Sequence, residues 1–305
     1  MDTNLRQSEN KAVVEGILSE MKFEKKVGDS KSQHPGVEYI TGNLTLKTDE
    51  LNFTRVGAFS WALAKDEKGN FAKENSIFKG LETVMNEYKT ISEVGEDEAT
   101  KVRITRGDFN FYTTQDGREA VSVKSNFFNR VTDNYDPKST FEIETYISSM
   151  VPEMDKEGEE TGRLIVKGWT VAYDGVKPVT LIAPKEDNIA SAVESTFEVG
   201  QTTRFYGQMI NNRVEIVKEI PMAIGPARKE VSYSYKNEFV INGASEAYEE
   251  GVSEHTPYEK SAIDLAIQER NNRIDEEEAK KLKGSNPFNN NSTPSGAAKG
   301  KQISW

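Results

Sequence analysis

Lys101, Arg103 and Thr105 alternate with Val102 and Ile104 in the stretch KVRITRGDFNFYTTQDGREAVSVKSNFF, residues 101–128, which turns at Asp116-Gly117. A strand with a period of two sends the cations to one side and the aliphatic side chains to the other. The returning segment places Val121 and Val123 inward and Ser122 and Lys124 outward, so Lys101, Arg103, Arg118 and Lys124 are expected on a common face. Arg106 belongs to the same basic set, and Phe109, Phe111, Tyr112, Phe127 and Phe128 fall towards the two ends of the hairpin. Cations spaced along a strand can follow a polyanion, and flat rings stack on unpaired bases at about 1–3 kcal/mol each without reading their identity. The plainer account of the same residues is ordinary strand patterning, basic outside and apolar inside.

Other segments expected to be strands carry similar residues. Lys47, Arg55 and Trp61 lie on two of them, with Tyr39 and Phe59 alongside. Arg163, Lys167, Trp169 and Tyr173 alternate along another, and Arg204, Phe205, Tyr206 and Arg213 occupy a strand placed like the hairpin above. Trp169 shares the parity of a polar set, so it is expected to face solvent and to stack more readily than Trp61. Phe59 is expected in the core.

Other chemistries find no residues to perform them. The chain has no cysteine, and its only histidines are His34 and His255, so thiolate catalysis, zinc–thiolate sites and histidine cages are not expected. Its acidic loops lack a fixed ligand geometry, it has no glycine-rich phosphate loop, and no nucleophile sits with a plausible base. Neither a cofactor nor an enzyme activity is therefore expected. No run approaches the ~20 apolar residues of a bilayer span, and the first residues, MDTNLRQSENKA, lack an apolar signal core. A cytoplasmic location is expected, the host cytoplasm if the chain is phage encoded.

The formal charge of -11 counts against a simple nucleic-acid coat but does not exclude one, because charges beyond ~10 Å are screened. Residues 246–278 alone hold eleven acidic against three basic side chains. The surplus belongs to one segment near the C-terminus.

Stepwise along the chain, three expected strands (12–26, 37–49 and 53–64) precede a helix over 75–88 with Asn75 or Ser76 as N-cap, and the hairpin follows. The same order returns: strands in TFEIETYISSMVP, TGRLIVKGWTVAY and VKPVTLIAP, a helix near 187–197, then GQTTRFYGQMI, a turn at Asn211-Asn212, and RVEIVKEI. A small barrel with a helix between its third and fourth strands is the oligonucleotide/oligosaccharide-binding (OB) architecture. On this order, the glycine-bent first strand and the basic–aromatic fourth and fifth strands, residues 10–220 resemble phage- or plasmid-type single-stranded DNA-binding proteins with tandem OB folds.

The fold class expected is mainly β: two OB-like five-stranded barrels, each with one helix between strands 3 and 4, plus a C-terminal helix and a disordered tail. The boundaries expected are 10–136 and 137–222 for the barrels, 223–283 for a hairpin and helix opened by a capping box at Thr256–Glu259, and 284–305 for the tail. The resemblance implies sequence-independent coating of single-stranded DNA in replication or recombination, without distinguishing RNA. It also implies replication proteins as partners through the C-terminal region, although Lys299 and Lys301 beside Trp305 depart from the acidic tip such tails carry. The competing reading is a virion structural or assembly protein built from β-barrel modules.

Overall fold

The first strand bends at a glycine, and that bend sets the architecture. The computed structural model describes residues 5–114, 119–220, 222, 228–252 and 255–284, so Arg118 and the tail expected beyond Gly284 lie outside the described residues. Strand β1 (Lys11–Val27) pairs β9 (Lys138–Met154) and β6 (Lys101–Thr113) through its first half and β2 (Glu38–Lys47) through its second. At the handover, a Cβ on Gly16 would lie 2.6 Å from the Lys47 carbonyl oxygen. Only a residue without one lets the strands cross so closely.

The ring is completed by β3 (Phe53–Trp61) and β7 (Glu119–Lys124), in the order β1-β2-β3-β7-β6 and back to β1, with β3 and β7 parallel and the other pairs antiparallel. Between β3 and β6 come a small hairpin, β4 (Leu63–Lys65) and β5 (Phe71–Glu74), then helices α1 (Ser76–Glu87) and α2 (Ile91–Val94). After the short β8 (Asn129–Arg130), a second ring repeats the scheme with β9, β10 (Glu160–Ala172), β11 (Gly175–Ala183), β12 (Thr202–Ile220) and β13 (Arg228–Ala244). Its order is β9-β10-β11-β13-β12 and back to β9, with β11 and β13 parallel and helix α3 (Ile189–Thr196) between β11 and β12. Helix α4 (Lys260–Gly284) follows. The fold is mainly β and OB-like.

Alternation fills the rings. Leu18, Ile40, Leu44, Val56, Val102 and Ile104 are fully buried in the first, and Ile143, Ile147, Leu181, Phe205 and Ile241 in the second. Helix α1 begins where the Asn75 side chain accepts the Ile77 N–H at 3.0 Å, and it adds Phe78, Leu81 and Val84 to the core. The two interiors are continuous, because β1 and β9 pair at the seam and Phe239 meets Phe109 and Phe141 edge-on at 5.6 and 5.2 Å.

Three expectations need correction. The turn expected at Asn211-Asn212 is extended strand: Asn52, from the first ring, donates to the Met209 carbonyl and accepts the Asn211 N–H, holding β12 straight. Strand β12 therefore runs on to Ile220, and β13 closes the second ring, so the boundary expected at 222 cuts a ring in two. Helix α4 starts at Lys260 rather than within Thr256–Glu259, because Tyr258 is buried and its N–H is held by the Thr202 hydroxyl at 3.0 Å.

Candidate nucleic-acid interface

Strands β2 and β3 bring rings together because cross-strand partners point the same way. Tyr39 lies opposite Trp61 and Thr41 opposite Phe59. The Tyr39–Trp61, Tyr39–Phe59 and Phe59–Trp61 centroid separations are 4.9, 5.5 and 5.5 Å. The β1–β2 loop adds His34, edge-on to Trp61 at 5.2 Å and stacked on Phe71 of β5 at 3.6 Å with the planes 6° apart. The cluster is not sealed: Phe59 is 45% exposed, and Trp61, Tyr39, His34 and Phe71 are half-buried. The expectation that Phe59 is core is thus corrected, since odd positions of β3 point outward and even ones inward.

The same outer face carries cations. Arg55 is exposed on β3 opposite Thr45, and Lys124 of β7 lies beside Gly57. Neither has an ion-pair partner among the described residues; the Lys124 ammonium donates to the Asn110 side chain at 2.7 Å. Exposed Tyr112 projects from β6 with the parity of Asn110, and the exposed Phe127 follows Asn126, whose side-chain oxygen accepts the Phe59 N–H at 3.1 Å. From Arg55 to Trp61 the face spans about 20 Å at strand rise.

Other basic residues of the sequence set are taken up elsewhere. The expectation that Lys101 and Arg103 share the Lys124 face is corrected. A bulge between Ile104 and Gly107 divides β6, so residues 101–104 lie against β1 and β8 while residues 108–113 lie against β7. Arg103 is forked onto the buried Glu15 carboxylate at 2.6 and 3.0 Å, and Lys101 sits 4.8 Å over the Tyr135 ring. Burial pushes the Glu15 pKa up, but hydrogen bonds from Arg103 and the Asp136 N–H outweigh it and hold the carboxyl below its ordinary range. The hydrogen bond to Glu96, at 2.7 Å, raises the Lys47 pKa. Arg106 is exposed and unpaired among the described residues.

Phe109 packs inward against the core and Phe239, and Phe111 shares its parity, 6.3 Å away; both therefore leave the outer face. Phe128 is buried against Phe23.

On the second ring the equivalent face, β10 and β11, is covered at the end next to the β10–β11 turn, while Lys167 and Thr180 further along stay exposed. Tyr258, Ile263 and Ala266 of the α4 segment bury Tyr146, Val171 and Val176, with Trp169 at the edge beneath the Arg270 guanidinium, 5.8 Å from its ring. Trp169 does face outward as its parity demands, but α4 occupies the space above it, which corrects its expected availability for stacking. Arg270 also pairs with Glu119 of the first ring, and Arg273 donates to the Asp174 carbonyl at 2.9 Å. A buried clamp holds this cover at its root: Glu144 forms an ion pair with Arg6 at 2.6 Å, Arg6 lies 4.7 Å over the Tyr258 ring, and the Tyr258 hydroxyl meets Ser8 at 2.8 Å. Burial drives the Tyr258 pKa strongly upward.

Arg163 is bound by Glu153 and Glu238 at 3.1 and 2.7 Å, and Arg204 by Glu9 at 3.1 Å. Lys167 is exposed, Tyr173 is 95% exposed at a hairpin tip, and Tyr206 is 37% exposed. The sequence set is thus scattered over both rings; Arg55, Trp61 and Lys124 share the outer face of β3 and β7, while Tyr112 lies beside Glu119, Lys177 and Arg270. Sequence reasoning missed His34 and Phe71, whose partners lie across loops, together with Lys65, Lys68 and Lys73 of the β4–β5 hairpin, which are exposed and have no ion-pair partner among the described residues. The two strands of that hairpin, LAK and FAKE, are too short to show alternation.

Among solved structures, the wild-type single-stranded DNA binding protein of Thermus aquaticus is similar at 9% identity over 82% of this chain and 98% of that one, with a TM-score of 0.47. A deletion mutant of the Thermus aquaticus protein gives 10% identity, 82% and 100% coverage and a TM-score of 0.43. A replication protein A heterotrimer bound to single-stranded DNA gives 9%, 78%, 51% and 0.20. No curated protein matches in sequence. Among the described residues no helix is long and apolar enough to cross a membrane. The sequence model of the YorF family, by contrast, matches residues 8–280, nearly the whole chain, and the chain belongs to the YorF family.

Proposed function

We propose that this protein binds single-stranded DNA without regard to sequence, along the outer face of the first ring. The observation that carries this reading is the open β2–β3–β7 surface, where Tyr39, Phe59 and Trp61 share a face with Arg55 and Lys124, which have no ion-pair partner among the described residues. Rings alone would suit a sugar, and cations alone would suit duplex equally; unpaired bases on a phosphate chain need both. OB-type barrels bind on the face of strands 2 and 3. The second ring offers no equal surface, because α4 lies over the end of it that carries Trp169. The action is non-catalytic, and each open OB unit covers roughly 4–16 nucleotides. Coating of exposed strands during replication or recombination is the role that such binding serves.

The test is a titration of intrinsic tryptophan fluorescence with oligo-dT and with a matched duplex at two salt concentrations. Quenching by oligo-dT is expected, with Trp61→Phe removing most of it and with weaker duplex binding. No quenching at low salt, or equal affinity for duplex, overturns the proposal.

A further inference from the structure

Strands β12 and β13 continue together well beyond the second ring. Strand β12 pairs β9 only through Thr202–Gln208, and β13 pairs β11 only at Val240, whereas β12 and β13 stay paired out to Ile220 and Arg228. The outer part is a two-stranded ribbon, a structure of marginal stability in water when nothing covers it. Val214 and Ile216 are half-exposed on one of its faces, and Val217 and Val231, directly opposite each other, on the other. The ribbon therefore presents apolar side chains in both directions together with an open strand edge, a combination that templates further pairing.

We propose that β13 of this arm pairs edge to edge with β13 of a second copy of the chain, antiparallel about a two-fold axis at position 233, to form a four-stranded sheet. The choice of strand follows from what already lies beside each one. The base of β12 is taken by β9 and by Asn52 of the first ring, which bridges Asn212 and bonds the backbone at Met209 and Asn211. From Arg228 to Asn237, β13 has β12 as its only strand partner among the described residues.

The register follows from charge. A two-fold axis perpendicular to the sheet keeps every residue on its own face, so opposed residues must share parity and the axis must fall on a residue. With the axis at 233, Glu230 lies opposite Lys236 and Arg228 opposite Glu238, each contact occurring twice. Moving the axis to 232 opposes Arg228 to Lys236, and moving it to 234 opposes Glu230 to Glu238. Like charges directly opposite on a sheet are destabilising. Axes at 231 or 235 shorten the overlap of the open edge.

Sedimentation equilibrium of the full chain without nucleic acid tests this. A dimer is expected. Lys236→Glu sets it against Glu230 twice and should weaken the dimer roughly tenfold or more. The exchange Glu230→Lys with Lys236→Glu should restore dimerisation. Lys236 also pairs with Glu238 of its own chain at 3.1 Å, a contact the exchange does not repair, so restoration reads the intermolecular pair alone. All variants should keep wild-type circular dichroism and oligo-dT affinity, since neither position lies on β2, β3 or β7. A monomer at every accessible concentration, failure of the exchange to restore the dimer, or a dimer seen only with oligonucleotide present overturns the proposal. The last outcome would assign the arm to nucleic acid instead.

Discussion

Phe59→Ala tests the proposed stacking face with the least damage to the fold. The ring is 45% exposed, and its neighbours Tyr39 and Trp61 stand 5.5 Å away on the same outer surface, not in the core. Fully burying a phenylalanine contributes about 1.5–3 kcal/mol, so a half-exposed one should cost roughly 1 kcal/mol of stability, plus a fraction of that for its edge contacts. If the ring stacks on a base, its removal forfeits about 1–3 kcal/mol of binding, which is roughly a 5- to 150-fold rise in Kd. Fluorescence anisotropy with labelled oligo-dT at fixed low salt gives the Kd, and calorimetric melting gives the stability. Phe59→Leu separates shape from stacking: it should keep most of the stability and recover little of the binding. A folded Phe59→Ala protein whose Kd stays within about twofold of wild type would refute stacking at this position, because even the lower bound of that estimate exceeds this change.

The remaining predictions concern charge, cover and pH. Arg55→Gln and Lys124→Gln should each make the slope of log K against log[salt] shallower by about 0.7, as single-strand phosphate contacts do; Arg103→Gln, whose cation is already matched by Glu15, should leave the slope unchanged. Ile263 is fully buried on the inner face of α4, so Ile263→Ala should cost about 2–5 kcal/mol of local stability and loosen the helix, read as a red shift and increased iodide quenching of Trp169 emission. Glu15 has a folded pKa below its ordinary 4.5, so its contribution is present above that value and is lost as pH falls through the lower, folded one. Melting curves should therefore drop below about pH 4.5, and Glu15→Gln should be less stable at neutral pH with a shallower acid drop; parallel curves would contradict this.

Much of the architecture was legible in the residues. Period-two alternation marks β2, β3 and β10, the spacing of Phe78, Leu81 and Val84 marks α1, and Asn75 caps that helix where a capping residue was expected. The Asn211-Asn212 pair misled because its turn propensity is local, while the hydrogen bonds from Asn52 that hold it extended come from 159 residues away.

Arg103 and Arg55 look alike in sequence, each a cation between two β-branched residues on a strand. A fold is needed to tell them apart: Arg103 meets the buried Glu15 brought by another strand, and Arg55 meets solvent. Trp169 likewise shows its outward parity in sequence, but not the helix that comes back a hundred residues later to lie on it. Parity, capping and propensity are properties of neighbouring residues, so the sequence alone determined that this chain is β-rich, built on a repeated order, and endowed with cations and rings on strand exteriors. Which of those exteriors stays open is a matter of long-range contact, and only the tertiary structure decided that the first ring keeps its aromatic side chains open while α4 lies over the tryptophan of the second.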